Sequence, residues 1–516
     1  MKYKHFIISR ILLPALVMIP CLALTQEKPG ASESIDQKSL NIDLSGFDVI
    51  PHISAVSPDL RHTAIGARFG NKSAVVVDGE RGMLFDEIGS GTLTFSPGSG
   101  MLAYAARSGG ASWIVVNDKK YGPYSNVGLG SPLFSPAGNH VAWSAQSLEM
   151  TPENEIRESW YVILDGKKGR RYDDVGIPRF SPNGEILIYS AMKADRHFMN
   201  VNSREQGPFT VVYPGSPFYS EKGGHYAYVA LHNNQDILIV DGNIVARHDA
   251  IFQSMFLFSP GGNRFAYVAR DGKNLVCSVD GKVVKTEEGV SLIPIAFSPD
   301  EKKVVFAGRS KDKVFIRIND KIYKEYEQIS GFKFSPDGEQ FVYKAERGEM
   351  ACIVRNGYEE TWYDDVRTGI FSPDGKKYAY IAIMGETSFI VINGVESVHY
   401  NSVIADTLTF GPNSRRWAYG AIYMGNAFVV VSGKPLVAHH EIFGHSVTFS
   451  PDGKHVAYAG RKGKESFVAL DGNIRYRFDA ILRSGKNLVE FSEPGKFHYL
   501  GREGLKIYNV EESISE

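Results

Sequence analysis

The densest run of ligand-type side chains in this sequence is His439-His440-Glu441, with His445 shortly after. A zinc-protease helix needs two histidines four apart on one face, with glutamate directly after the first. Here His440-Glu441 reaches its next histidine one position too late, and the segment reads as a strand and a connection, so no metal is expected. No Gly-x-Ser-x-Gly elbow and no phosphate-cradling glycine loop closed by lysine occurs. No calcium-loop spacing appears either. The expectation is a protein without a cofactor that binds and does not catalyse.

Binding chemistry is better represented. Residues 147–159 read Ser-Leu-Glu-Met-Thr-Pro-Glu-Asn-Glu-Ile-Arg-Glu-Ser, an acidic insertion carrying Glu149, Glu153, Glu155 and Arg157. A solvated insertion is the favoured explanation. Six arginines recur at one place in a repeat: Arg68, Arg107, Arg270, Arg309, Arg461 and Arg502. A guanidinium grips carboxylates in a bidentate fork, so a ring of them would suit acidic peptides or anionic glycans. Pairing with acids of neighbouring repeats is the competing explanation. Arg483 and Lys486 share the short segment 482–487, and Tyr213 opens Tyr213-Pro214-Gly215-Ser216-Pro217, an apolar contact or simply a stiff turn.

The elements that position these residues come from repetition. A Phe-Ser-Pro anchor recurs around Ser57, Ser96, Ser135, Ser181, Ser220, Ser259, Ser298, Ser335, Ser372, Gly411, Ser450 and Ser492, mostly 37 to 39 residues apart. Each anchor ends a short apolar strand and opens a turn, clearest as Ser372-Pro373-Asp374-Gly375. Proline presets φ there, aspartate bonds its own backbone, and glycine takes the positive φ. A second strand carries one aromatic at a fixed place, from Tyr104 and Trp143 to Tyr458 and Tyr499. A residue repeated once per unit is expected to build a shared core layer. A third, β-branched strand ends in Asp-Gly or Asn-Gly, as in Ile392-Asn393-Gly394, the strongest short hairpin signal. An aromatic-acidic-x-aliphatic segment, such as Phe85-Asp86-Glu87-Ile88 or Tyr363-Asp364-Asp365-Val366, is expected as the fourth strand.

Four antiparallel strands in about 40 residues, repeated at that period, predict an all-β chain of twelve propeller blades. No segment sustains a 3.6-residue period. The sequences Phe371-Ser372-Pro373-Asp374-Gly375 and Tyr378-Ala379-Tyr380 resemble the WD40-like repeat of TolB-type propeller proteins, over essentially all of residues 45–510. That resemblance implies an interaction scaffold. TolB-type proteins usually carry an α/β domain before the propeller, and residues 26–44 are too few for one, so TolB's own role is not carried over.

Single propellers hold four to eight blades, so twelve predict tandem rings of six, spanning 45–284 and 285–516. A seven-plus-five split and one large ring are the alternatives. Phe47-Asp48-Val49-Ile50 reads as a fourth strand with no blade before it, and the last repeat stops after its third strand at 505–510. Each ring is therefore expected to be closed by a strand from its own beginning, with 285–293 opening the second. The uniform Pro-Asp-Gly and Asp-Gly turns lie on one face, expected to be structural. The variable loops lie on the other, where binding is expected.

At the N-terminus, Lys2, Lys4 and Arg10 precede an apolar run that ends near Thr25, the layout of a secretory signal peptide over 1–25, followed by a linker over 26–44. The run is shorter than a membrane span needs. Pro20 before Cys21 departs from a lipobox, so lipidation is not expected. Cys277 and Cys352 fall in non-adjacent repeats and are expected to be buried thiols. A formal charge of −1 offers no bulk attraction for nucleic acid. These features predict an exported bacterial protein, periplasmic or extracellular, without a membrane span after cleavage. Its partner is expected to be a protein or peptide, or an anionic glycan. The alternative is a glycan or small-molecule binder, or a hydrolase or lyase, with its site at a channel mouth.

Overall fold

A computed structural model of the chain describes residues 36–39, 47–59, 62–98, 100–150, 154–284, 290–482, 488–503 and 506–514. The repeat's two turns show how each unit folds. The Ser372 hydroxyl donates to Asp374 at 2.6 Å and accepts the Lys377 amide at 2.9 Å, while Gly375 sits at φ 71°. The Asn393 side chain accepts the Tyr378 amide at 2.9 Å, and Asn393-Gly394 turns with φ 49° and 81°, values that match the twist of paired strands. That bond ties the second turn to the start of the strand leaving the first, so both turns share one face.

The result is all-β, with no helix among the described residues. Twelve sheets follow one another along the chain, at 48–81, 87–124, 126–168, 174–209, 211–248, 250–283, 290–322, 328–359, 365–396, 402–435, 441–478 and 480–513. Sheets 1 to 11 have four antiparallel strands paired in chain order, with the first strand broken into two pieces in sheets 2 to 5, 10 and 11. This is propeller-type architecture. Each successive pair of sheets encloses a buried hydrophobic cluster. The repeated second-strand aromatics are buried in those clusters, as the expected core layer requires.

The aromatic-acidic-x-aliphatic segment differs from expectation. The fourth strand begins directly after the Asp-Gly turn, as in Glu80–Arg81. Phe85 still bridges Ser73 of its own sheet, but Glu87 and Ile88 pair with Arg107 and Ala106 of the next. The segment is a crossing from one sheet to its neighbour, and it opens the neighbour's first strand. Its aromatic fixes the crossing point: Phe85 is buried in the seam, 6.3 Å from the Tyr104 ring.

Closure also differs. Asp48–Val56 is the first strand of sheet 1, and Val290–Phe297 the first of sheet 7, pairing with Val304–Ser310. Neither is donated to another sheet. The strand that completes the last sheet is Asp36–Ser39, from within the expected linker, paired antiparallel with Lys506–Ser513. It covers what would otherwise be an open edge. The expected division near residue 284 falls between Lys282–Val283 and Val290–Phe297 and coincides with no break in packing. Val268 and Cys277 of sheet 6 meet Leu292, Phe297 and Phe306 of sheet 7 in one core, as at every other seam. Cys277 and Cys352 are buried free thiols, as expected, and burial pushes each up to about 12.

Candidate functional site

Most recurring polar groups are committed to the scaffold. His62, His140, His225 and His455 hydrogen-bond Asp78, Asp165, Asp241 and Asp471 of the third-strand turns at 2.6–2.7 Å. The crossing tyrosines reach a glutamate in the next sheet: Tyr172 donates to Glu205 at 2.6 Å, and Tyr363 to Glu396 at 2.8 Å. These resemble catalytic dyads in residue type, yet their repetition marks them as joints.

The histidine cluster disperses in the same way. His439 takes a crossing aromatic's place, buried, with Nε2 2.9 Å from the Tyr458 hydroxyl. Glu441 pairs with Arg461 at 3.3 Å, and His445 lies 3.5 Å from Asp406. Among the described residues no group of three or more His, Cys, Asp or Glu is placed to hold a metal.

The acidic insertion is not a loop. Val141–Met150 and Ile156–Leu164 form one long ladder down to Met150↔Ile156. Glu149 accepts a hydrogen bond from Tyr161 and meets Lys168 at 3.2 Å. The tyrosine hydroxyl, with Lys168, holds its carboxyl below the usual range. Arg157 bonds Asp173 of the next crossing at 3.0 Å. Glu155 is exposed near the tip, and Glu153 lies outside the described residues. Beside its exposed charges the hairpin presents apolar side chains: Met150 is 72% and Ile156 70% exposed.

The six arginines share one register position, opposite Asp48, Glu87, Ala250, Ser291, Glu441 and Ala480. Gln146, Met192 and Leu231 hold that position in sheets 3 to 5, and Glu346, Ile383 and Ile422 in sheets 8 to 10. A complete cationic ring is therefore absent, and the arginines form separate arcs. Among the described residues, Arg461 alone of the six has an acidic partner. Tyr213 is packed into the seam of sheets 5 and 6 and donates to Asp236 at 2.7 Å. Burial and then that carboxylate push its hydroxyl up to about 12. Arg483 and Lys486 lie outside the described residues.

A concave surface lies elsewhere. The anchor ends of the first strands in sheets 5 to 8 line two contiguous cavities of about 540 and 560 Å³. Phe218 and Tyr219 come from sheet 5, Phe256 and Phe258 from sheet 6, Ile295 and Phe297 from sheet 7, and Phe332 and Phe334 from sheet 8. Phe218 stacks on Phe256 at 4.9 Å, and Phe332 packs edge-on against Phe334 at 5.1 Å. Ile295 is 38% exposed between them. The rim is polar and of mixed sign, with Glu221, Lys222, Asp300 and Lys333. Pro260, Gly261 and Pro299 of the uniform turns border the groove, so it opens by the face expected to be structural. Apolar walls with a few polar groups at the mouth are the usual make-up of a binding site.

A signal for this groove was present in the sequence. Sheets 5, 6 and 8 carry a second aromatic beside the anchor, one position before it in Phe218-Tyr219 and two before it in Phe256-Leu257-Phe258 and Phe332-Lys333-Phe334, and no other repeat has an aromatic at either position. The repeat average hides this departure.

No protein-family profile matches the sequence, and no curated protein does. Solved structures do match. TolB from Acinetobacter baumannii is 15% identical, with 58% of this chain and 79% of that chain covered and a TM-score of 0.23. The Myceliophteria thermophila Cps50 (Swd1) β-propeller domain is also 15% identical, covering 53% and 98%, with a TM-score of 0.24. The Dos1 propeller is 9% identical, covering 91% and 94%, with a TM-score of 0.27. At these scores the likenesses say nothing about what this chain binds.

Proposed function

We propose that this chain is an exported, non-enzymatic scaffold that binds a protein or peptide in the cell envelope through the aromatic groove of sheets 5 to 8. One observation carries the reading: this groove lines four consecutive sheets with half-buried apolar rings around the exposed Ile295, while the repeat's acids and histidines are engaged in joints. Aromatic rings held half-buried on a rigid frame supply contact area at small entropic cost. Export is supported by the charged, apolar and small-residue layout of residues 1–25, which lie outside the described residues.

The test is affinity capture from the native envelope with the mature protein and its Ile295→Glu variant. Ile295 is partly exposed, so the variant is expected to fold while placing a charge in the groove. A reproducible protein partner retained by the parent and lost by the variant supports the proposal. Retention of a glycan with no protein partner, or a partner indifferent to the substitution, overturns it.

A further inference from the structure

The seams between sheets are repeated, so each shows what its siblings place at the same spot. In several sheets the residue four positions past the third-strand turn fills the outer end of the seam with the next sheet, whereas sheets 1 and 3 have Gly82 and Gly169 there. After Asn117 that residue is Tyr121, whose ring lies 5.1 Å from Trp143. After Asn319 it is Tyr323, 5.1 Å from Phe341. Both rings reach the next sheet's turn glycine. A methyl group built on Gly166 would fall 2.4 Å from the Tyr121 ring, and one on Gly357 would fall 2.7 Å from Tyr323. After Ser432 the residue is Leu436, packed against the sheet 10–11 core.

Between sheets 9 and 10 the corresponding residue is Ser397, and the corresponding glycine, Gly433, meets nothing within 4 Å. The space is a cavity of about 430 Å³ between Ile390, Val395, Val398, Trp417 and Tyr419. Gly394, behind Glu360, is likewise clear, and the cavity is what singles out Gly433. Val395 and Val398 at its edge are 71% and 64% exposed. The Ser397 hydroxyl is already engaged, accepting the Ile390 amide at 3.0 Å and donating to the Val398 carbonyl at 3.1 Å. The space therefore asks for an apolar body.

Charge narrows the class. In the sibling seams an ammonium sits over the inserted ring, Lys119 over Tyr121 and Lys321 over Tyr323, each at 4.8 Å. In this seam Lys377, donating to the Ser414 carbonyl at 3.0 Å, sits 5.5 Å from the Trp417 ring centroid and lines the cavity, and so does Glu396, whose carboxylate is taken up by Tyr363 and His399. A cation favours an electron-rich, uncharged ring and disfavours a cationic one.

We propose that the Ser397 slot binds one phenol-type aromatic ring from outside the chain, in the place where sheets 2 and 7 insert their own tyrosine. The site is separate from the groove of sheets 5 to 8 and does not depend on it. The ring arrives either as a free phenolic compound or as the tyrosine side chain of a polypeptide.

The test is calorimetric titration of the full chain with p-cresol. The expected dissociation constant is on the order of 0.1–1 mM, as suits a ligand of this size. Ser397→Tyr should fill the slot from within and abolish binding. Val395→Glu, at the exposed edge, should weaken it about tenfold without disturbing the fold. N-acetyl-tyrosinamide separates the sources: binding comparable to p-cresol assigns a polypeptide side chain, and binding of p-cresol alone assigns a free phenol. Failure of p-cresol to saturate the protein, or binding that survives Ser397→Tyr, overturns the proposal. Should Ser397→Tyr fail to fold, unchanged affinity in Val395→Glu overturns it equally.

Discussion

The carboxylate of Asp364 accepts the backbone amide of Gly385 at 2.7 Å, so the acid of one crossing segment caps the second-to-third-strand turn of the sheet it enters. Asp86 does the same to Gly109 at 2.8 Å, Asp173 to Ala194 at 2.8 Å, and Asp249 to Gly272 at 2.7 Å. A carboxylate accepting an amide is a charge-assisted bond, stronger than a neutral one. Asp364→Ala should lower stability by about 1–2 kcal/mol, read from the denaturant midpoint. Asp364→Asn should recover much of that, since Asn401 already caps Met424 at 2.8 Å. An Asp364→Ala variant as stable as the parent would show that the acid does not act as a joint.

Burial, and then the nearby Lys462 and Arg477, push the pKa of His439 below its usual value. The folded chain therefore keeps this imidazole neutral at a pH where the unfolded chain, titrating near 6.5, has taken up a proton. Its contribution to stability is complete above about pH 6.5 and is lost as pH falls through the depressed value. His439→Phe places here the residue that Phe85 and Phe209 supply at equivalent crossings. That variant should show a smaller loss of melting temperature between pH 7.5 and pH 5 than the parent. An unchanged pH dependence would dismiss His439 as its source.

The division into 45–284 and 285–516 can be tested by separating the chain there. Separation exposes Val268 and Cys277 on one side, and Leu292, Phe297 and Phe306 on the other. Apolar surface of this kind drives association, so each half expressed alone should self-associate, seen by light scattering, and the two should recover a soluble species when mixed. Two monomeric, independently melting halves would instead establish two self-contained rings.

The strand Asp36–Ser39 pairs with Lys506–Ser513. Removing residues 36–39 leaves that last strand as an open edge. The expected outcome is a lower melting temperature and faster amide exchange in Lys506–Ser513, measured by mass spectrometry. Protection equal to the parent's would mean that the pairing does not hold the last sheet.

The hairpin and the groove make different predictions. Met150→Ser with Ile156→Ser removes exposed side chains, so stability should change by no more than about 0.5 kcal/mol. Partner retention should survive this pair of changes and fail with Ile295→Glu. The opposite pattern would move the binding surface to the hairpin.

The sequence by itself determined the all-β class, the twelve units, the turn chemistry of Ser372–Gly375 and Asn393-Gly394, and the buried aromatic layer. Each follows from local backbone preference or from one residue type recurring at one spacing, both of which a repeat averages into clarity. Only the tertiary structure decided which sheet each strand joins. The segment Phe85–Ile88 reads as one strand, yet its aromatic serves one sheet and Glu87 and Ile88 the next, because the ring must lie in the seam. Closure by Asp36–Ser39 joins residues some 470 positions apart, a pairing that no periodicity records. The candidate groove and the Ser397 slot were least legible, since they arise where repeats depart from their own average. The second aromatics at Phe218, Phe256 and Phe332 acquire meaning only when neighbouring sheets bring them into one groove, and Ser397 only when its siblings show the tyrosine it replaces.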